Sequence, residues 1–253
     1  MKNYFLLLMV AALAALFMLS ACGDDKDDTP TGIPDITAGN YDWDIYFVTG
    51  AHEEAKAEEY AIFASYLGNP NDIAQADAYT MEIGSETHEL WGFMGSFYSN
   101  VSLNPGQEYN VKFKKNNSVL SSTTIRMPYK TTTVFPANYL PTAAATMEWT
   151  MQASNDYQFA GVDANDPYND EEDEYYVVLN NSARSVTIPA NAVENYGSDA
   201  DYSMYLTQMN FKKNGRYAFS SFSVDFNDYD YVPAKFDRAE QLHLARKLRA
   251  EIR

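Results

Sequence analysis

The most specific fold signature in the chain is Leu103-Asn104-Pro105-Gly106-Gln107-Glu108-Tyr109, followed directly by Asn110-Val111-Lys112-Phe113. Pro105 and Gly106 mark a turn, because these two residue types favour the backbone angles that turns require. From Tyr109 onward apolar and polar residues alternate, which is the pattern of a half-buried β-strand. The stretch therefore predicts a turn that leads into a strand with one face on a core.

This stretch resembles the L-x-P-x-x-x-Y turn of fibronectin type III domains, whose tyrosine begins a strand and hydrogen-bonds back to the turn backbone. The resemblance implies that Tyr109 is such a tyrosine corner and that Leu103 is the core residue before it. The implied role of both residues is structural.

The chain also repeats itself. Phe113-Lys114-Lys115-Asn116-Asn117 leads into an apolar run, and Phe211-Lys212-Lys213-Asn214-Gly215 does the same 98 residues later. Asn-Asn and Asn-Gly accept the positive φ of tight hairpin turns, so both copies predict the closing hairpin of a β-sandwich. A period near 100 residues fits one immunoglobulin-like unit.

Two further pairs support this period. Trp149 is the counterpart in the second half of Trp43 in the first half. The sequence of residues 186–189 is similar to that of residues 101–105. The second half has no tyrosine at the spacing that matches Tyr109. The sequence therefore does not show whether the second half has a tyrosine corner. We expect Trp43 to anchor a core, since it lies in the strand pattern of residues 42–48.

We therefore expect a mainly all-β protein with two tandem immunoglobulin-like β-sandwiches, residues 35–128 and 129–232. Residues 1–21 are interpreted as a signal peptide, residues 22–34 as an acidic tether, and residues 233–253 as a short basic helix. Further strands are predicted at 78–83, 90–98, 109–114, 119–127 and 175–179. Residues 53–67 show helical spacing, and the alternative is a strand over 60–67.

An apolar run over residues 5–19 follows Lys2 and is too short to cross a membrane, which is typical of a secretory signal. Leu19-Ser20-Ala21-Cys22 resembles a bacterial lipobox, and the resemblance implies that Cys22 carries the lipid that anchors the protein to a membrane. Residues 23–28, Gly-Asp-Asp-Lys-Asp-Asp, resemble the export signal of Bacteroidetes-type lipoproteins displayed on the cell surface. The alternative for these residues is a solvated linker on an anchor that faces the periplasm.

The composition bears on the class of partner and on how the fold is stabilised. Without Lys2 the chain carries 17 basic and 35 acidic residues, which makes nucleic acid an unsuitable partner. Cys22 is the only cysteine, so no disulfide is expected, and the 15% aromatic content is consistent with cores built from large rings.

The densest set of oxygen ligands lies over residues 163–174. Asp163 and Glu174 stand at the first and twelfth positions of an EF-hand loop, but Pro167 and Tyr168 occupy its fifth and sixth positions. One interpretation is a Ca²⁺ site, and the alternative is a solvated acidic loop. The candidate ligands are Asp163, Asn165, Asp166, Asp170 and Glu174.

Nothing in the sequence specifies catalysis. His52, His88 and His243 lie far apart without metal-site spacing, and the chain has no G-x-S-x-G motif. Exposed rings can stack on sugars, although a core position is the alternative for each ring. The candidate rings are Tyr66, Trp91, Phe93, Tyr98, Tyr205 and Tyr229–Tyr231.

We therefore expect a protein that is not an enzyme: an outer-membrane lipoprotein acting as a surface binding module for a glycan or protein ligand, as an accessory to nutrient uptake. The alternatives are a structural or adhesive subunit and a glycan-active enzyme. The sequence leaves the ligand and the oligomeric state open.

The lipobox generates the first testable prediction. Cys22→Ser removes the thiol that would accept the lipid, so the precursor should stay unlipidated and unprocessed. Metabolic labelling with a radioactive fatty acid measures this directly. Equal labelling of the variant and the parent chain would contradict the lipobox interpretation.

Overall fold

The computed structural model describes residues 41–49, 59–74, 76–93, 95–166, 171–197 and 200–229. The predicted signal peptide, the lipobox with Cys22, the acidic tether and the C-terminal helix lie outside these ranges. Within them the chain has no α-helix, and the one helical element is a 3-10 turn over Pro70–Asp72. No described helix is long and apolar enough to span a membrane.

The described residues form fourteen strands, seven in each half of the chain. In the first half they are β1 (Trp43–Thr49), β2 (Glu59–Tyr66), β3 (Tyr79–Ile83), β4 (Glu86–Phe93), β5 (Ser96–Ser102), β6 (Glu108–Lys115) and β7 (Ser118–Arg126). In the second half they are β8 (Thr131–Val134), β9 (Ala145–Met151), β10 (Tyr157–Asp166), β11 (Glu171–Leu179), β12 (Ser185–Ile188), β13 (Asp201–Asn214) and β14 (Tyr217–Tyr229).

The two halves have the same strand topology. The first places β1-β2-β5 against β4-β3-β6-β7, and the second places β8-β9-β12 against β11-β10-β13-β14. Three strands facing four around an apolar core is the expected sandwich architecture, which confirms the predicted fold class. The boundary near residue 128 falls between β7 and β8 and stays a prediction.

Each sandwich has its own core around a tryptophan. Trp43 is 4% exposed, and its ring centroid lies 4.7 Å from that of Phe113 and 5.0 Å from that of Tyr79. Trp149 is 2% exposed and donates its indole N–H to Gln158 Oε1 at 2.9 Å. Both tryptophans are therefore core anchors, as the pairing of the two halves predicts.

A parallel strand pair connects the two halves, and together with the antiparallel β4–β5 pair it makes one sheet of eleven strands, while β8, β9 and β12 form a separate sheet. β1 runs parallel to β14, from Trp43 opposite Tyr217 to Val48 opposite Phe222. Phe219 of β14 accordingly belongs to the core of the first half. Polar contacts support the junction, since the backbone carbonyl of Arg126 accepts from Asn210 Nδ2 at 3.0 Å and from Ser221 Oγ at 2.7 Å.

Both predicted hairpin turns are present. Asn116 and Asn117 have φ of 49° and 67°, and they connect β6 to β7 as the two residues of a tight loop. Gly215 has φ of 61° and begins the two-residue loop between β13 and β14. The positive φ explains the residue types, because asparagine and glycine tolerate this region far better than other residues.

The predicted tyrosine corner is confirmed at Tyr109, whose hydroxyl accepts a hydrogen bond from the backbone N–H of Asn104 at 2.8 Å. Leu103 is 3% exposed in the first core. The second half has an equivalent corner that the sequence did not reveal: the Tyr202 hydroxyl accepts from the backbone N–H of Tyr196 at 3.0 Å. Tyr202 escapes the repeat because β13 has 14 residues where β6 has 8.

Two local predictions are wrong. The structure places a strand over Glu59–Tyr66, so the helix predicted over residues 53–67 fails there and the strand alternative is correct. Apolar side chains lie on both faces of β2, Tyr60 and Ile62 in one cluster and Phe63 in another, which hides the period of two. The single strand predicted over residues 90–98 is a hairpin that turns at Gly95, with φ of 85°.

The two corners generate a paired prediction. Tyr109→Phe and Tyr202→Phe should each lower the free energy of unfolding by about 1 kcal/mol, because each removes one hydrogen bond while the ring still packs. Chemical denaturation of both variants measures the effect. Tyr98→Phe serves as a control, because its hydroxyl bonds the side chain of exposed Asn100 rather than a turn backbone. A cost at Tyr109 alone would show that the second corner is not equivalent.

Candidate binding face

The joined sheet has a side that faces away from both cores, here called the outer face. It is formed by seven adjacent strands in the order β11-β10-β13-β14-β1-β2-β5. Side chains alternate between the two sides of a strand. On β1, for example, Ile45 and Phe47 enter the first core, whereas Tyr46 and Val48 lie on the outer face.

An aromatic cluster occupies most of the outer face. Its buried members are between 1% and 6% exposed, and partly buried rings pack around them. The buried members are Tyr46, Val48, Ala61, Phe63, Phe159, Tyr205, Met209, Phe222 and Val224. The outer side of an antiparallel sheet is ordinarily polar, so this cluster is the most unusual surface in the described residues.

Within this cluster a row of rings crosses neighbouring strands towards β4. Tyr46 stacks on Phe63 with a centroid separation of 5.1 Å, and Phe63 contacts Tyr98 at 5.7 Å. Trp91 of β4 stands directly opposite Tyr98 of β5 in the register. Trp91 is 64% exposed, so the row begins inside the buried cluster and ends at an open indole ring.

An acidic row lies at the other end of the outer face. Asp163 stands between Glu174 and Ser203 in the register, and Ser203 stands opposite Asp228. Glu172 and Asp201 flank Asn165 two residues further along the same strands.

Two hydrogen bonds fix side chains of this acidic row. The Tyr205 hydroxyl donates to Glu174 Oε1 at 3.0 Å, and Ser203 Oγ donates to Asp228 Oδ1. Partial desolvation and the nearby Asp201 carboxylate raise the pKa of Asp228, against the lowering effect of the hydrogen bond from Ser203. The outer face therefore combines an apolar centre with a negatively charged end.

Gly161 leaves the space in which Tyr205 of the aromatic cluster reaches the acidic row. Tyr205 lies opposite Gly161 in the register, and a side chain at position 161 would place its Cβ 2.6 Å from Cζ of the Tyr205 ring. The ring therefore crosses β10 over the space that the glycine leaves, and its hydroxyl reaches Glu174 on β11. A glycine within a strand commonly marks such a close approach.

The structure separates the predicted calcium ligands. Asp163, Asn165 and Glu174 share the outer face, whereas Asp166 lies on the opposite side and is 7% exposed. Asp170 lies outside the described residues. Among the residues that are described, no three His, Cys, Asp or Glu side chains form a group that could hold a metal ion.

The interpretation of residues 163–174 as a loop is wrong for most of its length. Residues 163–166 belong to β10 and residues 171–174 to β11, where they pair directly with one another. Clustered carboxylates do not specify a loop, because an edge hairpin can also carry them into solvent. Calcium binding stays a prediction.

The remaining candidate rings divide between core and surface. Tyr66 packs against Trp43 with a centroid separation of 5.2 Å, and Tyr229 donates its hydroxyl to the Pro136 carbonyl at 2.8 Å. Tyr205 is 1% exposed, so these three rings are structural. The side chain of Phe93 and the whole of Tyr231 lie outside the described part of the chain.

Comparisons with known proteins assign no family. No family model matches the chain, and no curated protein matches it. Among solved structures it is similar to the FN1–FN3 domains of chicken CNTN1, with a TM-score of 0.32 and 12% sequence identity over 76% of this chain. The chain spans 64% of the length of that structure. Similarity at this level gives neither the family nor the function.

The Gly161 contact generates a prediction. Gly161→Ala would place a Cβ 2.4 Å from the Tyr175 carbonyl oxygen, which is fixed backbone. The variant should lose about 1–3 kcal/mol of unfolding free energy, because overpacking forces backbone shifts. Denaturant titration measures it, with Asn165→Ala on the same strand as a control expected within about 0.5 kcal/mol of the parent. Equal stability of Gly161→Ala and the parent would contradict the close approach.

Proposed function

We propose that this chain is the non-catalytic binding module of a surface lipoprotein, anchored in the outer membrane through lipid on Cys22. The single observation that carries the binding proposal is Trp91, whose indole ring is 64% exposed at the end of an aromatic row. The rest of that row is held by packing, so the exposed ring has a rigid support.

A glycan is the ligand class that suits this arrangement best. The flat apolar face of an indole ring offers a large contact area to the C–H face of a sugar. Tyr98 stands opposite Trp91, and the exposed Asn100 donates to the Tyr98 hydroxyl at 3.2 Å. Amide and hydroxyl groups beside a stacking ring are the usual polar partners in sites for small ligands.

The anchor and the tether support a position at the cell surface. Cys22 closes the lipobox-like stretch, and Asp24, Asp25, Asp27 and Asp28 give the following segment a charge that keeps it solvated. Thus tethered, the two sandwiches would reach a glycan outside the cell and pass it to an uptake system. Role and location both belong to the proposal.

The structural or adhesive alternative would use an uncovered sheet edge to recruit another chain. β11 is the outermost strand at one end of the large sheet, and Glu172, Asp173 and Glu174 lie in its first half. Charged side chains on an edge strand oppose pairing with a further strand. This observation favours ligand binding over assembly at that edge.

The experiment uses Trp91 as its own reporter. Trp43 and Trp149 are buried, so quenching of tryptophan fluorescence by iodide reports chiefly on Trp91. Titration with xylan, starch, β-glucan and mucin glycans should show that one class protects Trp91 from iodide. Trp91→Ala should then weaken binding of that glycan by at least about tenfold, or about 1.4 kcal/mol.

Leu140→Ala is the matched control, because Leu140 is also 64% exposed but lies away from this row. It should bind the glycan as the parent does. Equal loss in both variants, or protection by none of the four glycans, would contradict glycan binding at Trp91.

A further inference from the structure

Most of the outer face is closed to water, although it lies on the far side of the sheet from both cores. Phe222, Met209 and Tyr46 are 1%, 2% and 2% exposed, and Thr207 on the same face is 0% exposed. A sheet face without a covering layer leaves one side of each ring in contact with solvent. Exposure this low therefore requires a layer over the outer face.

Outside the seven strands, the described residues bring Tyr41 to the aromatic cluster, with its ring centroid 6.5 Å from that of Phe211, and one ring does not cover the whole face. Every described hydrophobic residue of the aromatic cluster belongs to the seven adjacent strands of the outer face itself. The first core differs, because Trp43 on one sheet meets Met81 and Val111 on the facing sheet. These exposures are those of the single chain, so the layer must come from another part of the same chain.

The other outward sides of the described sheets need no such layer. On β3 and β6, Glu82 pairs with Lys112 and Lys114, which is a solvated charged surface. On β9 and β12, the hydroxyl groups of Thr146 and Thr187 hydrogen-bond to each other at 2.8 Å. Among these described sheet sides, the outer face is the apolar one, and it is therefore the one that requires a covering layer.

The segments outside the described residues differ in their ability to cover an apolar surface. Residues 50–58 are Gly-Ala-His-Glu-Glu-Ala-Lys-Ala-Glu and contain no large hydrophobic side chain. Residues 23–40 carry five aspartates against one lysine, and the acidic row would repel this charge. Residues 5–19 are apolar but have no charge to complement the acidic row, and we expect them to be removed with the signal peptide.

Residues 230–253 have the two properties that the outer face requires, which are large apolar side chains and an excess of positive charge. Leu244, Leu248 and Ile252 recur at intervals of four, which places them on one side of a helix. Six basic residues accompany them against four acidic ones, in a chain with a net charge of −17. The basic residues are Lys235, Arg238, Arg246, Lys247, Arg249 and Arg253.

We propose that residues 230–253 dock on the outer face of the same chain, with Leu244, Leu248 and Ile252 over the aromatic cluster. Their basic side chains then lie beside the acidic row of Asp163, Glu174 and Asp228. The connection is direct, because β14 ends at Tyr229, one residue after Asp228 of that row.

The dimensions agree with this docking. A helix over residues 234–253 would be about 30 Å long at about 1.5 Å per residue. Six spacings between the seven strands of the outer face amount to about 29 Å. The segment is therefore long enough to cross the outer face from β11 to β5.

Photo-cross-linking in the whole chain tests the docking. A benzophenone amino acid replaces Leu248 in one variant and Ala250 in a second, and mass spectrometry identifies the cross-linked peptides. On a helix, position 250 lies on the side opposite to position 248, so the yield at 248 should be roughly tenfold higher. The expected partners are peptides from β1, β13 and β14.

Mixing isotope-labelled and unlabelled copies shows whether each cross-link forms within one chain. Cross-links within one chain from position 248 to β1, β13 or β14 support the docking. Cross-links between copies would assign the layer to a second molecule, and equal yields at both positions or capture of residues 1–40 would overturn the proposal.

A second comparison does not depend on the cross-linker. Leu248→Asp should expose the aromatic cluster and raise the fluorescence of the dye ANS several-fold, whereas Ala250→Asp adds the same charge on the other side and should leave it unchanged. Unchanged ANS fluorescence in Leu248→Asp would contradict docking through this residue.

Discussion

The parallel pairing of β1 with β14 fixes how the two sandwiches share a sheet. It joins the first strand of one sandwich to the last strand of the other, so that the seven strands of the outer face, drawn from both halves, lie side by side in one sheet. Because the pairing fixes the side-chain alternation across the junction, both cores fall on the same side of that sheet. Everything apolar on the other side then forms one continuous surface.

This arrangement explains why several strands are apolar on both sides. Trp43, Ile45 and Phe47 fill the first core, while Tyr46 and Val48 belong to the aromatic cluster of the outer face. A strand of a solitary sandwich would carry polar residues at the second set of positions. The charged surface of Glu82, Lys112 and Lys114 shows that this chain follows the rule where no further layer is needed.

The same surface leaves one large ring exposed. The buried rings of the outer face hold the sheet together, and the exposed ring of Trp91 stands at its rim, where packing supports it without covering it. A ring that is already immobile loses little conformational entropy when a ligand stacks on it. The acidic row at the opposite end adds charge that a basic partner can meet.

Features that depend on neighbouring residues could be predicted from the sequence. It predicted the all-β class, the corner at Tyr109, both hairpin turns and the two core tryptophans, because turn chemistry and residue periodicity are local. It also named Trp91, Tyr98 and Tyr205 as candidate rings without separating the exposed ring from the buried one. Four features became clear in the folded chain: the β1–β14 pairing, the second corner at Tyr202, the strand over residues 59–66 and the division of the acidic residues between two sides of a hairpin. The corner at Tyr202 is local, and it was missed because the longer β13 moves it out of the spacing of the repeat. The other three features depend on which distant strand lies alongside, and a strand's own residues do not specify its neighbour, since the same alternating pattern can pair with many partners.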